Sequence, residues 1–449
     1  MMKAIQLSNL CCNLIKRDLL KNRLAITKLP AEKLTKFLYE LYYTGLRNYT
    51  DLSNDKNIEK LEELGFIKII EIEDHQFESK AEAQKNEYLH IPIAHLEALN
   101  LELTYECNSN CPNCFLKIIR KSFKGKELSY TKIKSIIADA YFAGLLENGI
   151  NFTGGETLLA NVDIFDLIRY ASSYGIPTRL FTNTFWGSKM FFKVGNQRFS
   201  TSFALIKLLK KSGLNQLAIN FDSRLDKDIS GIKQLTATIE ACETLGLNYE
   251  LVSSKEGKVL LDLFIHDLLL TLNVKALKFM TPITIDLIDM GGAKDAPLQN
   301  IHQLSIKELI SNSMCKGKGF YQPTMLTIDP NGGVRSCMYG LGMCNLGNIN
   351  ENSLFEIIND FKDEVSECFA SKKAFELADL LYEPHKDIYK AFSHPCSACI
   401  LLARLIQEYY SLAKTQTVST DDILAININV AKDLNFDYCL TDDQQMSNH

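Results

Sequence analysis

From about Ala98 to Ile283, short apolar runs alternate with stretches of helical period. LNLELT opens the series. YTKIKSIIADAYFAGLL then leads to GINFT, IFDLIRYASSYG to PTRLFTN, SFALIKLLKKSG to QLAINFD, IKQLTATIEACETLG to LNYELVS, and LLDLFIHDLLLTLN to VKALKFM. Parallel strands need crossover helices, so βα repeats with short connections predict a parallel sheet flanked by helices. The fold class expected is α/β, a partial (βα)6 TIM-like barrel over residues 93–311, with functional loops on the rim at the carboxyl ends of the strands.

Residues 1–92 read as a separate unit. PAEKLTKFLYELYYTGL and SNDKNIEKLEELG are helical patterns, with Pro30 and Ser53 as start signals, and FIKIIEIE is strand-like: a winged-helix-like order. The polar DHQFESKAEAQKNEY reads as a linker. Beyond the barrel, residues 312–414 form another unit. CKGKGFYQPTMLTIDPNGGVRSCMYGLGMCNLGNI predicts a hairpin turning at DPNGG, a long helical region follows at about 353–382, and HPCSACILLARLIQEYYSLA is an amphipathic helix opened by a cysteine pair. The tail, 415–449, is polar with one apolar patch.

The length of 449 residues fits about three domains of ordinary size. A net charge of −5 without a basic stripe argues against nucleic acid. No apolar run approaches the ~18 residues of a membrane span, and the start is too interrupted for a secretory segment, so the expected location is cytoplasmic. Thirteen cysteines change the picture, because clustered cysteines in a reducing compartment point to metal or catalysis. Cys107, Cys111 and Cys114 lie together, as do Cys396 and Cys399; Cys315, Cys337 and Cys344 form a looser group. Cys242, Cys368 and Cys439 are isolated and read as packing.

In LELTYECNSNCPNCFL the spacing is C-x3-C-x2-C, on a loop after an apolar strand. Three thiolates can bind three irons of a cubane and leave the fourth open to a small molecule. Zinc or a redox dithiol would be the other readings of such a group. Zinc lacks a nearby fourth ligand, since no His or Cys lies between Cys114 and Cys242, and a dithiol leaves Cys107 idle. Forty residues after Cys114, INFTGGETLL places Gly154, Gly155 and Glu156 directly after a short strand.

Triplet and GGE together resemble the radical S-adenosylmethionine (radical SAM) enzymes, over roughly residues 99–400 with the tail included. The resemblance implies that Cys107, Cys111 and Cys114 hold a [4Fe–4S] cluster whose open iron takes S-adenosylmethionine, with a 5′-deoxyadenosyl radical as the product of reduction. It implies that Gly154 and Gly155 admit the methionine moiety, that Glu156 orients its amino group, and that Asn183, Asn220 and Asp222 face the ligand from other strand ends. Where the family carries an aromatic residue before the third cysteine, this chain has Asn113, with Phe115 one residue beyond that cysteine. Cys315, Gly332, Cys337 and LGNI resemble the start of the SPASM extension or its shorter twitch form. The dense later run of the full extension is absent, which implies one auxiliary [4Fe–4S] cluster on Cys315, Cys337, Cys396 and Cys399, with Cys344 as an alternative ligand and zinc as the alternative metal.

Enzymes with such tails mostly act on peptides and proteins. The expected function is a peptide maturase that takes hydrogen from a ribosomally made precursor peptide, bound through its leader, and installs a thioether or carbon–carbon crosslink. A flavodoxin or ferredoxin would supply the electron. The alternatives are an enzyme like the sulfatase-maturing ones acting on a folded protein or small molecule, an epimerase using Cys344 or Cys368 as hydrogen donor, and a non-catalytic peptide-binding scaffold.

Overall fold

The computed structural model describes residues 2–8, 11, 12, 15, 37, 38, 40–42, 44–50, 56–63, 66–90, 97–111, 114–120, 124–142, 148–221, 229–255, 257–286, 304–313, 315, 316, 318–321, 324–340, 345–359, 364–389, 392 and 394–434. The chain divides into two compact units, one of Met1–Leu96 with Ile136–Leu145 and Ser353–Phe361, the other of the remainder.

In the first unit, β1 (Met2–Leu7), β2 (Leu46–Asn48), α1 (Lys56–Glu63), β3 (Ile67–Ile72) and α2 (Phe77–His90) follow in order. The strands make an antiparallel sheet in the order β2-β1-β3, with β1 and β3 paired from Met2↔Ile72 to Leu7↔Ile67. Ile5, Leu7, Leu38, Leu41, Ile58, Leu61 and Ile67 form its core, and Cys11 and Cys12 are packed into the same cluster. Helix α2 corrects the linker expected at this position. Its Ala, Glu, Lys and Gln residues are strong helix formers, but no periodic apolar stripe marks them as a helix. Strand β1, at the very start of the chain, had no sequence expectation either.

The second unit holds β4 (Ala98–Thr104), β5 (Gly149–Gly154), β6 (Thr178–Thr182), β9 (Gln216–Asn220), β10 (Asn248–Ser254) and β11 (Met280–Ile285), which lie side by side in chain order and all parallel. Helices α3 (Tyr130–Phe142), α4 (Ile164–Ser173), α5 (Ser202–Lys211), α6 (Ile229–Leu245) and α7 (Lys258–Leu272) separate them along the chain, as the alternation predicts, except that the sixth strand begins at Met280, where the expected VKALKFM ends. Every residue of β4 is buried. Leu99, Leu101 and Leu103 share one face, and the opposite face is polar: Asn151 donates to Asn100 at 2.8 Å, and Asn100 to Thr327 at 3.2 Å. A short antiparallel hairpin, β7 (Phe192–Val194) and β8 (Gln197–Phe199), interrupts the series after β6. Its Gly195-Asn196 turn is a two-residue hairpin signal that the barrel pattern masked.

Following α8 (Ile306–Asn312) and α9 (Lys318–Tyr321), β12 (Met325–Ile328) joins the same sheet, parallel to β4 from Met325↔Ala98 to Ile328↔Leu101. Strands β13 (Gly333–Arg335) and β14 (Asn345–Asn348) continue it as antiparallel neighbours. The expected hairpin at DPNGG therefore forms, and it extends the barrel's own sheet. Asp329 tightens the turn by accepting from Asn331 N at 2.8 Å and Gly333 N at 3.0 Å, with Gly332 at φ +88°. The long helical region expected near 353–382 consists of three helices, α10 (Leu354–Asn359), α11 (Glu364–Ala370) and α12 (Lys373–Leu381). Between the last two, Lys372 takes the left-handed conformation at φ +64°, which a continuous helix cannot accommodate. Helix α13 (Pro395–Ala413) carries the cysteine pair over its first two turns, and α14 (Thr420–Asp433) forms in the tail, for which the sequence suggested no element. A capping box on Ser419 and Asp422 starts α14. Helices α8, α9 and α11 to α14 share a core that includes Phe320, Phe369, Leu401, Leu405, Ile406 and Val430. Among the described residues, no helix is long and apolar enough to cross a membrane.

Candidate active site

Cys107, Cys111 and Cys114 occupy the loop that leaves the carboxyl end of β4. Arg120 closes this loop from beneath, donating from Nε to the carbonyl of Tyr105 at 3.2 Å and from Nη1 to that of Ser109 at 3.2 Å. The Cys107 sulfur accepts from the backbone N–H of Ser109 at 3.4 Å and from Asn183 Nδ2 at 3.7 Å. Burial pushes the Cys114 thiol up, Cys107 adds to the shift, and Arg120 opposes it. Asn113 lies outside the described residues, as does Asp222.

The GGE segment closes against the start of the same loop. Gly155 N donates to Thr104 O at 2.7 Å and Glu156 N to Glu106 O at 2.9 Å. A Cβ on Gly154 would stand 2.3 Å from Thr104 O, and one on Gly155 would stand 2.4 Å from Glu106 O. The close approach that requires glycine here is thus made by the chain's own backbone. Glu156 is fully buried, and its carboxylate accepts from Leu158 N at 3.3 Å, Thr182 Oγ1 at 2.9 Å and Asn183 N at 2.7 Å. In this arrangement it caps the turn after β5 and ties it to the end of β6. Asn183 in turn reaches the thiol loop, donating to Asn108 Oδ1 at 2.9 Å and Ser109 Oγ at 2.9 Å as well as to Cys107. Asn220 is exposed at the carboxyl end of β9.

A second group of thiols forms around Gly319. A Cβ at that glycine would lie 3.5 Å from Cys315 Sγ and 3.9 Å from Cys337 Sγ. Burial pushes the Cys396 thiol up to about 12, with Cys337, Cys315 and Asp286 adding to the shift, so these three cysteines are electrostatic neighbours. Cys399 sits one turn further along α13, and Cys344 lies outside the described residues. Cys368 is buried in the C-terminal core.

Sequence reasoning passed over several residues that organise these two groups. Arg120 is one. Asp286 follows β11 and pairs with Lys255 at 2.5 Å, while His394 caps α13 by accepting from Cys396 N at 3.1 Å. Tyr339, two residues after Cys337, meets the ring of Phe115 edge-on, with centroids 5.9 Å apart. Deeper in the sheet, Arg335 donates to Glu102 Oε2 at 2.6 Å, and the Tyr105 hydroxyl donates to the same oxygen at 2.6 Å. Both charged residues are almost wholly buried. A His-Pro pair before a cysteine, as at 394–396, is a legible helix start; a salt bridge between distant strands leaves no local signal. A polar cleft of about 490 Å³ beside α4 and the β7–β8 turn, lined in part by Lys134, Asp163 and Asp166, contains none of these thiols.

Residues 101–246 match the family model described as the radical SAM superfamily. The chain carries a radical SAM domain. Such a domain is the catalytic part of enzymes that cleave S-adenosylmethionine with a [4Fe–4S] cluster, and the matched span contains both the thiol loop and GGE. A 7,8-dihydro-6-hydroxymethylpterin dimethyltransferase of Methanocaldococcus jannaschii is 29% identical over 158 residues, which is 33% of this chain and 28% of that protein. The chain thus spans well under a third of the curated relative it matches. Among solved structures, Streptococcus suis SuiB aligns with 71% of this chain and 79% of its own at 14% identity and a TM-score of 0.36. The same protein bound to S-adenosylmethionine (TM-score 0.35) and bound to its precursor peptide SuiA (0.36) aligns with 70% of this chain and 77% of its own, also at 14% identity. Scores this low mark a distant likeness only.

The donor set of the first loop suits an iron–sulfur cluster: three thiols on one short loop, two N–H groups aimed at one sulfur, and a guanidinium beneath. Among the described residues, no group of three or more His, Cys, Asp or Glu side chains is drawn together closely enough to hold a metal ion as placed.

Proposed function

We propose that the chain is a radical SAM peptide maturase. Cys107, Cys111 and Cys114 would hold the [4Fe–4S] cluster, and the loop fastened by Arg120 and GGE would present it to S-adenosylmethionine. When bound, that cofactor pair supplies a 5′-deoxyadenosyl radical, which abstracts a hydrogen atom from the substrate. The chain's own residues fix the loop, exclude water around it and receive the peptide.

The observation that supports a peptide substrate is the first unit's sheet. In the order β2-β1-β3, strand β3 has one edge without a strand partner among the described residues, and a leader segment could add to it as a further strand. Strand addition draws affinity from backbone hydrogen bonds and needs no deep pocket. We assign this winged-helix-like unit, residues 1–92, to leader recognition, residues 93–311 to the radical SAM core, and residues 312–414 to a SPASM- or twitch-like tail ahead of a C-terminal segment, 415–449. Cys315, Cys337, Cys396 and Cys399 would hold one auxiliary [4Fe–4S] cluster in that tail; the electrostatic proximity of the first three supports this set.

Crosslinking removes two hydrogens. One would leave in 5′-deoxyadenosine and the other as a proton, and the cluster that Cys315, Cys337, Cys396 and Cys399 would hold could take the remaining electron. The test is to incubate the anaerobically reconstituted full chain with dithionite, S-adenosylmethionine and the product of any short open reading frame beside its gene. A product lighter by two hydrogens, lost when the leader is removed, supports the reading. A product heavier by a methyl group would replace crosslinking with methyl transfer, the activity in the name of the Methanocaldococcus relative. Unmodified peptide alongside brisk 5′-deoxyadenosine formation would refute the substrate class.

A further inference from the structure

We propose that Asn183 is a positioning residue for electron uptake: its side-chain amide donates a hydrogen bond to the Cys107 sulfur and raises the reduction potential of the cluster bound there. The inference rests on the reading of the triplet as cluster ligands. It departs from the ligand-facing role that resemblance gives this residue, because the amide is turned toward the thiol loop.

The orientation of the amide follows from its partners. Asn183 Oδ1 accepts from Phe185 N at 3.0 Å, which fixes the oxygen on the turn after β6 and sends the nitrogen the other way. Nδ2 then meets Asn108 Oδ1 at 2.9 Å, Ser109 Oγ at 2.9 Å and Cys107 Sγ at 3.7 Å. The NH2 group has two N–H donors for these three neighbours, so the sulfur, the most distant of them, shares a donor with a nearer oxygen. The backbone is held as well, since Asn183 N donates to the buried Glu156 carboxylate at 2.7 Å. Asn183 itself is 8% exposed. A fixed N–H beside a ligand sulfur is worth more in such a site than in water.

The sign is set by charge. Reduction transfers one electron from a low-potential donor to the cluster; the donor is oxidised by one electron, the cluster is reduced by one, and no bond forms or breaks. The reduced cluster puts more negative charge on its sulfurs, so a donor at Cys107 stabilises it more than the oxidised form. Ser109 N–H, at 3.4 Å from the same sulfur, acts in the same direction from the backbone. Reduction is the step that a radical SAM cluster must complete before the sulfonium can be cleaved, so the residue eases the most demanding electron transfer in the cycle.

The test is a potentiometric titration of the full chain reconstituted with iron and sulfide, with dithionite as reductant and electron paramagnetic resonance as readout. Asn183→Leu removes the donor without adding charge. Asn183→Asp keeps an oxygen for the Phe185 turn and replaces the donor with an acceptor, so it guards against a variant that fails to fold. Both are expected to disfavour the reduced form about tenfold or more at a fixed potential, a shift of about 59 mV to the negative side for a one-electron couple, with Asp shifted further than Leu. Unshifted potentials in both variants, at unchanged iron content and melting temperature, overturn the proposal. A raised KM for S-adenosylmethionine at an unmoved potential also overturns it and restores the ligand-facing role. If a Cys107→Ala/Cys111→Ala/Cys114→Ala chain keeps its full iron content, both the cluster reading and the proposal fail, and this is visible before any potential is measured.

Discussion

Replacing Gly155 with alanine should detach the thiol loop from the turn that fixes it. The added Cβ would lie 2.4 Å from Glu106 O, 2.8 Å from Tyr105 O and 2.9 Å from Glu106 C, while ordinary contact begins at 3.4 Å. Every one of these atoms is backbone, so no side chain can rotate away, and the loop must retreat by about 1 Å. That movement breaks or stretches the bonds from Gly155 N to Thr104 O at 2.7 Å and from Glu156 N to Glu106 O at 2.9 Å. Each such bond contributes about 1 kcal/mol, and forced overpacking costs about 1–3 kcal/mol more. Glu106 is the residue before Cys107, so the shift reaches the first thiol directly. A misplacement of about 1 Å can cost ~10²-fold in rate.

The assay compares Gly155→Ala with Gly125→Ala after anaerobic reconstitution, reading iron content, melting temperature and the rate of 5′-deoxyadenosine formation. Gly125 is the control: its φ of +71° disfavours alanine through the backbone alone, which the φ of Gly155 does not, and nothing lies within 4 Å of the new Cβ. The control should lose about 1 kcal/mol of stability and keep its activity. Gly155→Ala should lose most of its rate and part of its iron. A Gly155→Ala chain with wild-type iron content and a rate within twofold of wild type would refute the claim that the glycine exists for backbone closure.

Glu156→Gln should lower the melting temperature, because an amide nitrogen would then face one of the three donors that the carboxylate accepts; the expected loss is about 1–3 kcal/mol, and an unchanged melt with a higher KM for S-adenosylmethionine would show instead a carboxylate that acts on the cofactor. Arg335→Met leaves Glu102 buried and unpaired and should cost about 3–5 kcal/mol in urea unfolding, whereas the Glu102→Gln/Arg335→Met pair should be close to neutral; equal losses in both would contradict the pairing. Cys315→Ala/Cys337→Ala should halve the iron bound per chain and leave the first cluster's signal in place, as read by iron analysis with paramagnetic resonance. His385 has a buried Nε2 without a partner, and burial lowers its pKa, so the folded state binds fewer protons than the unfolded one. Stability should therefore fall as pH drops below about 6.5, and His385→Gln should flatten that slope in melts run across the range.

What could be read in advance follows from how local each signal is. Five of the six parallel strands announce themselves by a buried apolar run, and β4 is buried along its whole length; β11 does not, since it is largely exposed and begins at Met280, where the expected VKALKFM ends. The thiol triplet, the GGE turn and the cysteine pair opening α13 are contiguous in sequence, so their placement after a strand or at a helix start was legible. Helix α2 was not, since its stability comes from residue propensity without an apolar stripe. The pairing of β12 with β4 joins residues more than 220 positions apart, and nothing local in MLTI names its neighbour. Glu156 and Asn183 stand just beyond strand ends, where polar residue types draw notice in the sequence. Their partners, which decide what they do, come from β6 and the thiol loop and emerge only when those strands lie side by side.

That pairing of β12 with β4 changes how the two thiol groups are related. Cys107 lies three residues beyond β4, and Cys337 two residues beyond β13, which is itself the neighbour of β12. One continuous ladder, β4-β12-β13, therefore carries both thiol-bearing segments, and the buried Arg335–Glu102 pair crosses β12 to link its outer members. A buried ion pair usually adds little net stability, because desolvation opposes the attraction. Its value here is registry: Arg335 finds a compensating charge at one position on β4, so a slip of β13 would leave two charges buried and unpaired. The edge-on contact of Phe115 with Tyr339 spans the same two segments at their tips. A family match that stops at residue 246 thus ends short of a strand that the thiol-bearing β4 uses as a neighbour, and removal of residues after 311 would expose that edge of β4. A chain truncated there should lose iron from the first site as well as from the second, whereas two independent domains would lose only the second.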